Sequence, residues 1–137
     1  MRFVHHDFSF ELSDEWWAEA GMSSFVPSSR SYRVDLQKFP DCSCVPIDEV
    51  EPVKRQLSHG IFNDDQETGL TAKERVINIL LGFVNASALP PVEIVKVSVV
   101  NSHAYRLTHG AHRFYLSIAA GFTHVPAVKG FSFDMDG

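Results

Sequence analysis

Tyr105-Arg106-Leu107-Thr108-His109-Gly110-Ala111-His112-Arg113-Phe114-Tyr115-Leu116-Ser117-Ile118-Ala119-Ala120-Gly121 is the stretch in which the hydrophobic period changes from two to 3.6. Tyr105-Arg106-Leu107 alternates as a strand does. Beyond Gly110, residues Ala111, Phe114, Tyr115, Ile118 and Ala119 fall on one helical face, and Gly121 stands where a C-capping glycine belongs. A strand leading through a glycine straight into a helix predicts an α+β protein with a helix N-terminus held at a strand end.

The chemistry of that turn suits an anion. A helix starting at Gly110 leaves its first N–H groups without partners and concentrates about half a positive charge there. Gly110 and Ala111 let a ligand approach the backbone, and His112 and Arg113 add side-chain donors. First turns usually favour acids, yet this helix opens with His and Arg and contains no acidic residue. An Arg–phosphate contact contributes roughly 1.5–3 kcal/mol, more than the few tenths to 1 kcal/mol lost to the helix dipole. The competing reading pairs Arg113 with an Asp or Glu of a neighbouring loop and leaves His112 on the surface. Local chemistry does not separate the two.

Working outward, Val92-Glu93-Ile94-Val95-Lys96-Val97-Ser98-Val99 reads as a strand whose apolar face changes parity between Ile94 and Val95, as at a β-bulge. Asn101-Ser102-His103 then returns the chain as a hairpin. Thr71-Ala72-Lys73-Glu74 fits a capping box. The helix behind it carries Val76, Ile77, Leu80, Leu81, Phe83 and Val84 until Asn85, Ser87 and Pro90-Pro91 stop it. Val45-Pro46-Ile47-Asp48-Glu49-Val50 reads as one extended segment closed by Pro52. Val125-Pro126-Ala127-Val128 reads as an edge strand, because Pro126 cannot donate to a central ladder. The expected strands are therefore 45–50, 92–100, 104–108 and 125–129, with helices at 71–86 and 111–120.

Residues 1–44 read as an extension packed on the domain of residues 45–137. Phe8, Phe10 and Leu12 alternate as a strand, and Ser13 caps a short helix that Gly21 ends. Adjacent tryptophans on a helix point about 100° apart. Trp16 and Trp17 are thus expected as one core residue and one half-exposed rim residue, or as a partner contact. Residues 22–44 are loop-rich, with a candidate strand at 32–36.

At 137 residues, 45% hydrophobic and 21% charged, the chain suits one globular domain, as a monomer or homodimer. A net charge of −5 from twelve basic and seventeen acidic residues is the wrong sign for gripping duplex DNA, so nucleic acid is not an expected partner. Cys42 and Cys44 are too close for an unstrained structural disulfide, which points to the cytoplasm. No apolar run reaches membrane-helix length, and the first residues lack a signal-peptide core. Neither the cysteines nor the histidines follow zinc-ribbon spacing, and no Walker loop or nucleophile elbow occurs.

The order of Ile47-Asp48-Glu49-Val50-Glu51-Pro52, the helix from Thr71, Pro91-Val92-Glu93-Ile94-Val95, Tyr105-Arg106-Leu107, Gly110-Ala111-His112-Arg113, Ala119-Ala120-Gly121 and Val125-Pro126-Ala127 resembles the ParB/sulfiredoxin-like superfamily over residues 45 to 130. In that superfamily the glycine-and-arginine turn opens a helix over nucleotide phosphates: ATP in sulfiredoxins, CTP in ParB proteins, ADP or ATP in free-serine kinases. The resemblance implies a small mixed sheet packed with helices, and a nucleotide or other small anion as ligand, with Mg²⁺. It implies Lys73 as a second phosphate contact, since Ala72-Lys73 resembles the start of the sulfiredoxin helix. It also implies Glu51 as the catalytic carboxylate candidate, after the strand where free-serine kinases carry theirs. Sulfiredoxin chemistry itself is excluded, because Gly110 is followed by Ala111 where a nucleophilic cysteine is required. Val76 and Leu80 replace polar positions of the sulfiredoxin helix, and too little chain follows Gly130 for a ParB DNA reader. The functional expectation is a nucleotide-binding protein that extends to a small phosphotransferase. The alternatives are a ParB-like nuclease or nucleotide-switched clamp, and a non-catalytic interaction domain.

Overall fold

The computed structural model describes residues 1–5, 8–51, 62–97 and 103–130. In chain order the elements are β1 (Arg2–His5), β2 (Phe8–Glu11), α1 (Asp14–Glu19), β3 (Ser43–Pro46), β4 (Val50–Glu51), α2 (Ala72–Val84), β5 (Val92–Lys96), β6 (Tyr105–His109), α3 (Ala111–Ala120) and β7 (His124–Lys129). The expected continuation of β5 to residue 100, the Asn101-Ser102 turn and the Pro52 stop lie outside the described residues.

Five strands form one mixed sheet in the order β3-β7-β5-β6-β4. β5 pairs antiparallel with β6 and parallel with β7, while β4 pairs parallel with β6. The register of β5 against β6 shifts between Glu93 and Ile94, where Thr108 is the extra residue, so the irregularity lies in β6 and is not the parity change expected within β5. Val92 and Ile94, two apart and so on one face, are fully buried, Ile94 with Leu107 opposite.

The segment expected as one strand at 45–50 is instead two strands on opposite sheet edges. Its buried residues explain the break. Val45, Ile47 and Val50 are all in the core, and a period of two cannot turn all three inward. A 3₁₀ turn over Ile47–Glu49 makes the change of direction, fixed by the Ile47 N–H donating to the Thr123 carbonyl at 3.0 Å. The same link dictates the sheet's shape. The outer strands of a flat five-stranded sheet would stand about 19 Å apart, but the chain from Pro46 to Val50 reaches at most about 14 Å. The sheet therefore curls, bringing its two edges toward each other.

β7 is an interior strand, not the expected edge. Pro126 is tolerated because pairing to β5 begins only at Ala127. On the β3 side, Pro126 lies opposite Cys44 and Pro46 lies opposite His124. Both prolines thus share the parity of an antiparallel ladder that exchanges no N–H···O bonds. Residues 32–36, a candidate strand, are irregular; Tyr32 is nevertheless buried, its hydroxyl donating to the Pro90 carbonyl at 2.6 Å.

α3 carries more than one apolar face. Ala111, His112, Phe114, Tyr115, Leu116, Ser117 and Ala120 are all buried, because the helix packs on β5 and β7, on α2 and on the β1–β2 hairpin. The hairpin's Phe10 ring meets Tyr115 at 5.6 Å. β1, which supplies the hairpin's second strand, is not evident in the sequence. Ser13 caps α1 as expected, its side chain accepting from the Trp16 N–H. Neither tryptophan is fully buried: both pack at the edge of the core, Trp17 against Phe3 at 5.7 Å. No helix among the described residues is long and apolar enough to cross a membrane.

α2 ends in a Schellman turn, with the Ser87 N–H donating to the Gly82 carbonyl at 2.9 Å and Ala86 at φ 54°. A β-carbon in that left-handed conformation costs roughly 1 kcal/mol. Ala86→Gly is therefore expected to raise stability by about 0.5–1 kcal/mol in urea unfolding, even after the extra freedom glycine gives the unfolded chain.

Candidate functional site

The two long helices start differently. Every feature at the start of α2 closes it. Thr71 and Glu74 form the reciprocal capping box, and the Asp64 carboxylate accepts from the Ala72 N–H at 2.7 Å. α3 begins at Gly110 in the left-handed region, φ 93°, an N-cap residue with no side chain to cap it. Its first N–H groups have no intrahelical acceptors. Gly110 is also required by packing, since a Cβ there would stand 2.9 Å from Val92 Cγ1 and 3.1 Å from Val92 Cα. The glycine thus serves a close approach to β5 within the protein itself.

In front of this turn lies a cavity of about 440 Å³, within the size range of small-molecule sites. β6 and α3 line it from Thr108 through Arg113, α2 contributes Arg75, Asn78 and Ile79, and the preceding loop contributes Asp65 and Leu70. Arg75 and Asn78 lie three apart on α2 and so share the face turned to the cavity.

Arg113 is half-buried at the cavity wall. Its Nη2 donates to the Pro91 carbonyl at 3.3 Å, and its buried Nε has no hydrogen-bond partner among the described residues. The guanidinium also lies beside the Tyr32 hydroxyl, whose pKa burial pushes far above the ordinary tyrosine range despite the opposing pull of Arg113. Tyr32 therefore remains neutral. Among the described residues no carboxylate forms an ion pair with Arg113, so the acidic partner envisaged by the competing reading is absent there.

His112 is not the surface residue of the competing reading: it is 5% exposed and forms part of the cavity wall. Its ring packs against Phe62 at 5.3 Å, and its Nε2 accepts from the Asn63 N–H at 3.3 Å. Phe62, which covers this end of α3, leaves no signal in the local Gly-Ala-His-Arg motif.

Lys73 is not brought to the turn. Its Nζ lies 3.4 Å from a Glu19 oxygen on α1, and it does not line the cavity. Arg75, two residues on, takes the cavity-facing position: two places along a helix rotate a side chain by about 200°, so Lys73 and Arg75 face opposite ways. Glu51 is likewise outside the cavity. It accepts from Arg106 Nε at 3.2 Å, across the parallel register of β4 and β6. Asp65 is the carboxylate that does line the cavity. The Glu67 N–H, first among its contacts, holds the Asp65 carboxyl below the ordinary range, with Thr68 and Arg75 adding to the effect.

The chain matches no protein-family model and no curated protein. The site's meaning thus rests on its own chemistry: two guanidinium groups and an uncapped helix start against one carboxylate. Among the described residues, no three His, Cys, Asp or Glu side chains gather to hold a metal. The free thiols of Cys42 and Cys44 lie on the far edge strand and its approach.

Proposed function

We propose that the chain is a ParB/sulfiredoxin-like protein that binds a nucleotide phosphate, from ATP, ADP or CTP, in the cavity at the start of α3. The observation that carries this reading is the uncapped N-terminus of α3, which opens with Arg113 and Arg75 onto one cavity. A phosphate oxygen there would meet backbone N–H groups, a helix dipole and guanidinium donors together. The element order from β4 to β7, with a strand entering α3 directly through Gly110, supports the family resemblance.

Mg²⁺ fits with one protein carboxylate. Asp65 would hold it together with the ligand's phosphate oxygens, a common arrangement for this ion. The reading extends to a small phosphotransferase, in which Arg75 and Arg113 neutralise charge on the transferring group. Glu51, tied to Arg106, has no part in that arrangement.

Ligand-induced stabilisation tests the proposal. ATP, ADP, CTP and GTP, each with and without Mg²⁺, are added during thermal unfolding. A nucleotide at about one hundred times its Kd is expected to add about 2.7 kcal/mol, a rise of several degrees in Tm. No shift with any nucleotide or with inorganic pyrophosphate would contradict the reading.

A further inference from the structure

Between Phe62 and the start of α2 the chain borders the cavity with Asp65 and Leu70, and its attachment to the two helices is specific. The Asn63 N–H is held by His112 Nε2 on α3. The same residue's carbonyl and side-chain oxygens accept from one nitrogen of Arg75, Nη1, at 2.8 and 2.9 Å. Asn63 is thus clamped from one side by a buried imidazole and grips a cavity-lining guanidinium from the other. Asn63 links two residues of the cavity wall, His112 and Arg75.

On the reading that this cavity binds phosphate, we infer that His112 is a positioning residue for Arg75, acting through Asn63. An arginine on a helix surface samples many rotamers, and ordering it costs side-chain entropy of up to about 2 kcal/mol. The Asn63 oxygens hold Arg75 at the wall before a ligand arrives. With Nη1 engaged, the remaining guanidinium edge is presented as a pre-set donor. Asn63 can do this only while its own backbone is fixed, and His112 Nε2 fixes it. The acceptor role also defines the neutral tautomer, with the proton on Nδ1.

The arrangement separates His112's packing from its hydrogen bond. His112→Phe keeps a ring against Phe62 and removes the acceptor. His112→Gln loses the ring and places an oxygen near the former Nε2. ATP and inorganic pyrophosphate are titrated into the wild-type chain, both His112 variants, Asn63→Ala and Arg75→Ala, with thermal unfolding of each. The inference expects His112→Phe to lose about tenfold in affinity, approaching Arg75→Ala, and His112→Gln to stay within about twofold of wild type. A purely structural histidine predicts the reverse order. Asn63→Ala, exposed and lacking one of the two oxygens that hold Arg75, is expected to lose about threefold, which keeps the test open should His112→Phe fail to fold. Wild-type binding that is undiminished in His112→Phe, or in Asn63→Ala while Arg75→Ala weakens, would overturn the inference alone. Absence of binding by the wild-type chain would overturn the phosphate reading and the inference with it.

Discussion

Gly110→Ala is expected to destabilise the protein by about 2–4 kcal/mol and to abolish ligand-induced stabilisation. Two costs combine. Alanine is strained at φ 93°, by roughly 1–2 kcal/mol. Its Cβ would also approach Val92 Cα to 3.1 Å and Val92 Cγ1 to 2.9 Å. The Val92 backbone belongs to the central strand β5, paired on both sides, and cannot retreat without disturbing β6 and β7. Overpacking of this kind costs about 1–3 kcal/mol. Relief comes only if the turn moves, which re-aims the first N–H groups of α3. Urea unfolding of the wild-type and variant chains, with and without nucleotide, measures both effects. A loss under about 0.5 kcal/mol would show that the turn is not the tight junction described.

Arg113→Ala is expected to act in the opposite proportion, mainly on binding. The side chain is half-buried, donates once to Pro91 and lies beside Tyr32, so its removal should cost about 1–1.5 kcal/mol of stability. The buried Nε contributes nothing favourable to the free protein and is lost without penalty. For a bound phosphate the same truncation removes a charge-assisted contact. Affinity should fall roughly tenfold or more, equivalent to at least about 1.4 kcal/mol. Arg75 alone then remains at the cavity, opposed by Asp65.

The parts of this architecture legible in the sequence are those governed by local rules. The Thr71–Glu74 capping box, the period change at Gly110 and the Gly121 stop each follow from residues within a few positions of one another. The misread parts depend on distant chain. Val45, Ile47 and Val50 look like one strand until the curl of the sheet demands that all three be buried. Pro126 looks like an edge residue until the register shows that neither neighbouring ladder uses its missing N–H. At the site, Arg113 and Gly110 were identifiable from the motif. The burial of His112 is not legible there, because the ring that covers it, Phe62, comes from distant chain. Arg75 is not placed by the buried pattern of α2: Lys73 shares the i, i+3, i+7 stripe of Val76 and Leu80, whereas Arg75 lies off it, on the face of Asn78 and Ile79. Asp65 and Asn63 sit in irregular chain with no periodicity to place them.

A phosphate bound at the start of α3 gives Arg75, Arg113 and the helix N-terminus their shared role. Isothermal titration of ATP with Mg²⁺, and of the nucleotide giving the largest thermal shift, into wild-type and Arg113→Ala protein at about 150 mM salt tests this directly, because surface attraction is largely screened there. The predicted result is saturable one-to-one binding by the wild-type chain, weakened roughly tenfold or more in a variant that still unfolds cooperatively. Equal affinity in the two proteins, or no binding by the wild type, would contradict it.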